Sequence, residues 1–246
     1  MMKVCDLRKR FGTIVAVDGI SFEVSRGDVL GFLGPNGAGK STTMKMLSGF
    51  LRPDSGTATI TGYDVVRQSL AVRQNLGYLA ENAPAYEEMT VDSFLRFVCD
   101  ARRIRGAGRQ QAIDRVTQSC ALQAVMHQPI GTLSKGFRRR TGLAQALIHN
   151  PPVLIMDEPT DGLDPNQKHE VHRLIRSLAK EKCIILSTHI LEEVDAVCNR
   201  VVIIARGKVL ENSTPEALCK REGGTLDEVF RKLTAPKRPA VKGGVA

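Results

Sequence analysis

The sequence predicts an α/β protein with a mixed, largely parallel core sheet, an antiparallel β subdomain at its N-terminal end and an inserted helical subdomain. Three observations carry this. Short β-branched runs alternate with helical patterns, namely Val29–Leu33 then Lys40–Phe50, Val153–Asp157 then Asn166–Lys180, and Cys183–Ser187 then Leu191–Val197. That order implies parallel strands joined by helical crossovers. Within residues 1–65, by contrast, Val17–Val24 and Thr57–Gly62 read as strands with few intervening helices, which predicts an antiparallel sheet. From Thr90 to about Ile148 the pattern turns helical: Val91, Phe94, Leu95 and Val98 fall on one face at i, i+3, i+4 and i+7. Arg105–Arg109 interrupts that helical region, and the Pro- and Lys-containing end after Thr234 reads as a loose tail.

A chain of 246 residues is long enough to bury a substantial core as one subdivided domain. With 42% hydrophobic and 25% charged residues the composition is that of an ordinary globular protein, which excludes a disordered or fibrous chain. Apolar stretches such as Val153–Met156 and Val201–Ala205 fall far short of the roughly 20 residues needed to span a bilayer. Met1–Arg10 alternates charged and apolar residues, unlike a secretory leader, so a cytosolic protein is expected. The six cysteines form no C-x-x-C pair and have no histidine at ligand spacing, so they read as free thiols. A net charge of +9 suits nucleic acid, an anionic membrane surface or mere solubility, and charge alone does not separate these. The basic runs have few aromatics beside them to stack bases, so no nucleic-acid partner is expected.

Gly34-Pro35-Asn36-Gly37-Ala38-Gly39-Lys40-Ser41 fits G-x-x-x-x-G-K-[ST] between an apolar strand and a helix. Glycines let successive backbone N–H groups curl inward, and the helix starting near Gly39 adds its positive end. Lys40 would reach the β- and γ-phosphates, Ser41 would ligate Mg2+, and Thr42 would assist at the α-phosphate. Downstream, Val153–Met156 is a buried-strand pattern ending in Asp157 and Glu158, which places two carboxylates at the C-terminal edge of a parallel sheet, where ligands bind. Asp157 would hold the metal shell, and Glu158 would polarise the water that attacks the γ-phosphate.

Together with Leu133-Ser134-Lys135-Gly136-Phe137, these two motifs resemble the ABC ATPase family, over residues 3 to about 233. The resemblance implies a P-loop ABC ATPase fold that binds ATP with Mg2+. In it, Ser134 and Gly136 would touch the γ-phosphate held by the opposite chain, so that hydrolysis implies a dimer, here a homodimer. Lys135 and Phe137 stand where the family usually has glycine and glutamine. With Leu143–Leu147 they are similar to the exporter ATPases of gliding-motility and drug-export type. Arg140 matches the family's arginine after the signature, while Arg138–Arg140 equally reads as a solvated helix face.

The resemblance supplies further roles. Gly77–Glu81 is similar to the Q-loop, with Glu81 where a metal-facing glutamine is usual; the alternative is a plain surface acid. Asn82–Met89 would line the groove for a membrane subunit's coupling helix. His189 would sense the γ-phosphate. Asp161–Asp164 resembles the D-loop that crosses the dimer interface, although Asp164 before Pro165 is also a good helix cap, and both readings stand together. Phe11 would stack on adenine with Val17 packed nearby; a core phenylalanine is the alternative.

The implied organisation is a nucleotide-binding core of residues 1–86 and 149–234, a helical subdomain of 87–148 carrying the signature, and a basic tail at 235–246. An integral membrane permease would be the partner, holding the chain at the inner face of the cell membrane, with export the expected direction. The rival readings are a soluble ABC ATPase serving DNA repair, chromosome organisation or translation, and a non-ABC kinase or GTPase, which would leave Ser134, Gly136 and His189 unexplained.

Overall fold

The computed structural model describes residues 1–81 and 85–235. In chain order the elements are β1 (Met2–Phe11), β2 (Ile14–Val24), β3 (Val29–Leu33), α1 (Lys40–Leu47), β4 (Ser55–Ile60), β5 (Tyr63–Asp64), α2 (Ser69–Asn75) and β6 (Leu76–Leu79). There follow α3 (Val91–Ala101), α4 (Ala107–Ser119), α5 (Lys135–Leu147), β7 (Val153–Asp157), α6 (Pro165–Ala179), β8 (Cys183–Thr188), α7 (Leu191–Val197), β9 (Arg200–Ala205), β10 (Lys208–Ser213), α8 (Pro215–Glu222) and α9 (Leu226–Thr234).

Two sheets organise these strands. A four-stranded antiparallel sheet runs β2-β1-β4-β5, and a six-stranded sheet runs β10-β9-β3-β8-β7-β6. In the larger sheet β9, β3, β8, β7 and β6 are parallel, and only β10 returns antiparallel. Both expected sheets are therefore present. The helical stretch is also present, but its break falls at residues 102–106 between α3 and α4, earlier than the expected Arg105–Arg109, whose last three residues open α4.

Side-chain alternation sets the faces. Val153 and Ile155 of β7 join the core between the two sheets, which includes Leu7, Ile20, Phe32 and Met44 of α1. Leu154 and Met156 point the other way, into a core shared with Leu95, Ile113 and Leu143 of α3, α4 and α5. The inserted helices thus share their apolar interior with one face of the sheet. By the same alternation Asp157, the next residue on the Val153 side, faces α1. A third cluster packs Leu33, Val201 and Ile203 against Leu218 and Leu226 of the C-terminal helices.

Helix starts follow from local chemistry. Thr90, Ser134, Asp164, Thr214 and Thr225 each accept a backbone N–H at the start of α3, α5, α6, α8 and α9. Such a cap contributes about 1 kcal/mol. α1 ends at Leu47, short of the expected Phe50, because the chain turns at Ser48 and Gly49, whose N–H groups close on Met44 and Met46 carbonyls. Among the described residues no helix is long and apolar enough to cross a membrane. The expected basic tail lies outside the described residues, apart from Ala235.

Candidate functional site

A cleft of about 450 Å³ opens where β3 runs into α1. Asn36, Gly37, Gly39, Lys40, Ser41 and Thr42 form its inner wall, Glu81 stands at the rim, and Glu158, Asp161 and His189 face the loop. Volumes of this order suit a bound cofactor-sized ligand.

Close packing shapes the loop. Gly39 has φ of 106°, and a Cβ there would lie 2.5 Å from the carbonyl oxygen of Ala16. A Cβ on Gly34 would lie 2.4 Å from that of Ile204. Only glycine lets the chain curl so tightly against its neighbours. Gly34 and Ala38 are buried behind the loop, where only their backbones serve it. Gly39 offers no side-chain cap to α1. The first amides of that helix consequently face the cleft with its positive dipole end, an arrangement that attracts anions.

Lys40 is buried and folds back, donating to the Gly34 carbonyl at 2.8 Å. Its Nζ lies 3.7 Å from Glu158 Oε1. Burial lowers the Lys40 pKa, while Glu158 and Asp157 oppose that shift. Asp157, 1% exposed, accepts a hydrogen bond from Ser41 Oγ at 3.2 Å and another from Ser187 Oγ. The alternation along β7 is what delivers this carboxylate to α1. Glu158 Oε2 lies 2.9 Å from His189 Nδ1, from which it accepts in the Nδ1–H tautomer, so its carboxylate spans Lys40 and His189. Its backbone has φ of 51°. Its N–H donates to the Ser187 carbonyl at 3.1 Å.

At the mouth, Phe11 is 48% exposed and pairs across the β1–β2 hairpin with Ile14, itself 68% exposed. Phe11 is thus not a core residue. Val17, expected beside it, is 0% exposed and packs between the sheets, so that placement is corrected: Ile14, Val15 and Ala16 line the cleft instead. The exposed Ile14 and Val15 are lining residues that sequence reasoning missed; two solvent-facing aliphatics at a hairpin tip were the available signal.

The signature turn stands apart. None of residues 133–137 lines the cleft. Ser134 accepts from the Phe137 N–H at 3.3 Å, and Gly136 is covered so closely that a Cβ would lie 2.4 Å from Gln167 Oε1. Lys135 reaches Asp161 at 3.1 Å. Asp164 accepts from the Gln167 N–H at 2.9 Å, which is the capping role. Arg140 pairs with Glu170, and Arg138 is exposed beside Glu87. Arg139 is the member of that run turned inward: its guanidinium reaches the backbone carbonyls of Ala80, Glu81, Asp157, Glu158 and Pro159. Its signal was its place on the inward stripe of α5 with Gly136 and Leu143. Of the expected groove residues Asn82–Met89, 82–84 lie outside the described residues; Tyr86 is exposed and packs edge-on to Phe97, ring centroids 5.3 Å apart.

Comparison with known proteins agrees with this geometry. A family model described as ABC transporter matches residues 17–161. The chain is 38% identical over 235 residues to a probable multidrug ABC transporter ATP-binding protein, YbhF, of Escherichia coli strain K12, covering 93% of this chain and 40% of that protein. It therefore spans well under half the length of that relative. It is 39% identical over 229 residues to the bacitracin transport ATP-binding protein BcrA of Bacillus licheniformis, covering 92% of this chain and 74% of that one. A solved ATP-binding subunit of an ABC transporter superposes with a TM-score of 0.86 at 29% identity, covering 95% of this chain and 99% of its own.

Proposed function

The chain belongs to the ABC transporter family, and on that premise we propose that it binds and hydrolyses ATP as one half of a two-chain sandwich that drives a separate membrane permease, in the direction of export. The observation that carries this reading is the clustering of Lys40, Ser41, Glu158 and His189 around one cleft, with Asp157 buried behind Ser41 and Ser134 and Gly136 lying outside.

Adenine would rest on Phe11, Ile14 and Val15, and the triphosphate would enter the Gly34–Ser41 loop. Lys40, which has a carbonyl partner in hand, would exchange it for phosphate oxygens. Ser41 Oγ and Asp157 Oδ1, 3.2 Å apart, are hard oxygen donors that fit Mg2+, and Glu81 at the rim would assist through water. When bound, the ion would offset charge on the phosphate oxygens. Glu158 would take the proton of the attacking water, with His189 holding its carboxylate in place. Such a site acts by positioning and by stabilising charge in a loose phosphoryl transition state.

A second copy's Ser134 and Gly136 would cover the bound γ-phosphate, and Asp161–Asp164 would cross that interface. Residues 1–86 with 149–234 would act as the core, and 87–148 as the helical unit that meets the permease at the inner face of the membrane. The export direction is supported by a relative in Ralstonia nicotianae, 36% identical over 245 residues, that is named Nod factor export ATP-binding protein I.

The test is Glu158→Gln. Turnover is expected to fall about 100-fold or more, with ATP still bound and a dimer accumulating on a sizing column. Normal hydrolysis by this variant overturns the role of Glu158. Extraction from membranes together with a polytopic hydrophobic protein supports transport; recovery without any such protein overturns it.

A further inference from the structure

We propose that Arg139 is a positioning residue that fixes the backbone of Glu158 and links it through α5 to Ser134. The inference rests on Glu158 being the base of ATP hydrolysis.

Arginine carries five N–H donors in a planar fork. Here Nε donates to the Pro159 carbonyl at 3.1 Å, Nη1 to those of Ala80 and Glu81 at 2.7 Å each, and Nη2 to those of Asp157 and of Glu158, the last at 2.5 Å. All five acceptors are main-chain oxygens, and they come from two strand ends. β6 and β7 pair in parallel up to Leu79 opposite Met156. Beyond that pair the guanidinium spans the two emerging chains in place of the sheet ladder. It holds Glu81 on one side and Asp157 and Glu158 on the other in a fixed relation.

The Glu158 peptide needs such a hold. Its φ of 51° lies in the left-handed region, which a residue with a Cβ adopts at a cost. On its N-terminal side the peptide is secured by the Ser187 carbonyl; on its C-terminal side the Glu158 carbonyl accepts from both Arg139 and the Asp161 N–H, the latter at 3.2 Å. Burial lowers the pKa of Arg139, while Asp157, Asp161, Glu81 and Glu158 oppose the shift, so the cation also sits among four carboxylates. Lysine has neither the plane nor the donor count to serve these carbonyls.

Arg139 and Ser134 share one continuous helix, Ser134 at its cap and Arg139 in its second turn. Five helical steps separate them, about 7.5 Å along a stiff rod. A ligand that engages Ser134 therefore acts on the element that carries the clamp. A change at the signature reaches the base without passing through the cleft.

The experiment uses the full chain with Arg139→Lys and Arg139→Gln, and Arg138→Gln as a matched charge control. Without nucleotide, hydrogen exchange of the Glu158 and Asp161 amides is expected to quicken about tenfold in both Arg139 variants while Leu154 in mid-strand is unchanged. With ATP, kcat is expected to fall about 100-fold, as for a misplaced reacting group. The calorimetric Kd for ATP stays within about threefold, and Arg138→Gln behaves as the parent. Partial recovery of kcat in Arg139→Ala by millimolar guanidinium supports the assignment further. If the glutamine variant fails to fold, the lysine variant decides. Unchanged exchange, a kcat within about threefold of the parent, or a kcat and Kd that worsen in step overturn the proposal. Absence of turnover in the parent protein instead sinks the ATPase reading and leaves the exchange measurement to judge the clamp.

Discussion

The cleft loop and the signature turn are built from the same part, a loop running into the first turn of a helix, yet they are finished in opposite ways. At α1 the capping residue is Gly39, which brings no side chain, and the helix start faces an open cleft surrounded by Lys40, Glu158 and His189. At α5 the cap is Ser134, whose hydroxyl already accepts from Phe137, and the turn lies away from that cleft. A helix start left uncapped among charged groups is an anion site waiting for its ligand. One that caps itself keeps its shape in the absence of any ligand. The contrast teaches that a single copy holds one helix start open to the cleft and another, self-capped, outside it, linked at their edge by the Lys135–Asp161 ion pair.

The largest expected effect tests the first half. Lys40→Ala should weaken ATP binding by about 2–3 kcal/mol, roughly 30–150-fold, measured by calorimetry; near-normal affinity would mean that the uncapped loop alone makes the site. Next, Ser134→Asn retains a capping oxygen. Its melting temperature and ATP affinity should match the parent while turnover falls about tenfold. A loss of affinity in the isolated chain would erase the contrast by tying the turn to its own cleft. The smallest effect sharpens the description of the cleft mouth: Phe11→Ala should cost about 0.5–1.5 kcal/mol in ATP affinity, some two- to tenfold, in an equilibrium titration.

Contiguous features were legible in the sequence. Strands β3, β7 and β8 are apolar on both faces, so they stand out wherever buried parallel strands occur. The loop Gly34–Ser41 and the pair Asp157–Glu158 are each written in consecutive residues. Strand β1 is less plain: its alternation of charged and apolar residues excludes a leader, yet period two is itself a strand signal, and Met2 and Val4 are buried on one face before a register shift brings in Leu7. What could not be read comes from sheet order. Ser187 on Asp157, His189 on Glu158 and Arg139 on two strand ends are meetings of residues far apart in the chain, made by neighbours in the sheet. The misplacement of Val17 has the same origin, since the neighbouring sheet decides which face of β2 is interior.

Strand β8 lies between β3, which feeds the phosphate loop, and β7, which carries the carboxylates. Two strand spacings separate those ends, about 10 Å. The strand between them ends in Ser187 and Thr188, both buried, and Ser187 Oγ donates to Asp157. Were the outer two strands immediate neighbours, the gap would shrink to about 5 Å. It would then admit a phosphoryl group or a water molecule, but not the two in line.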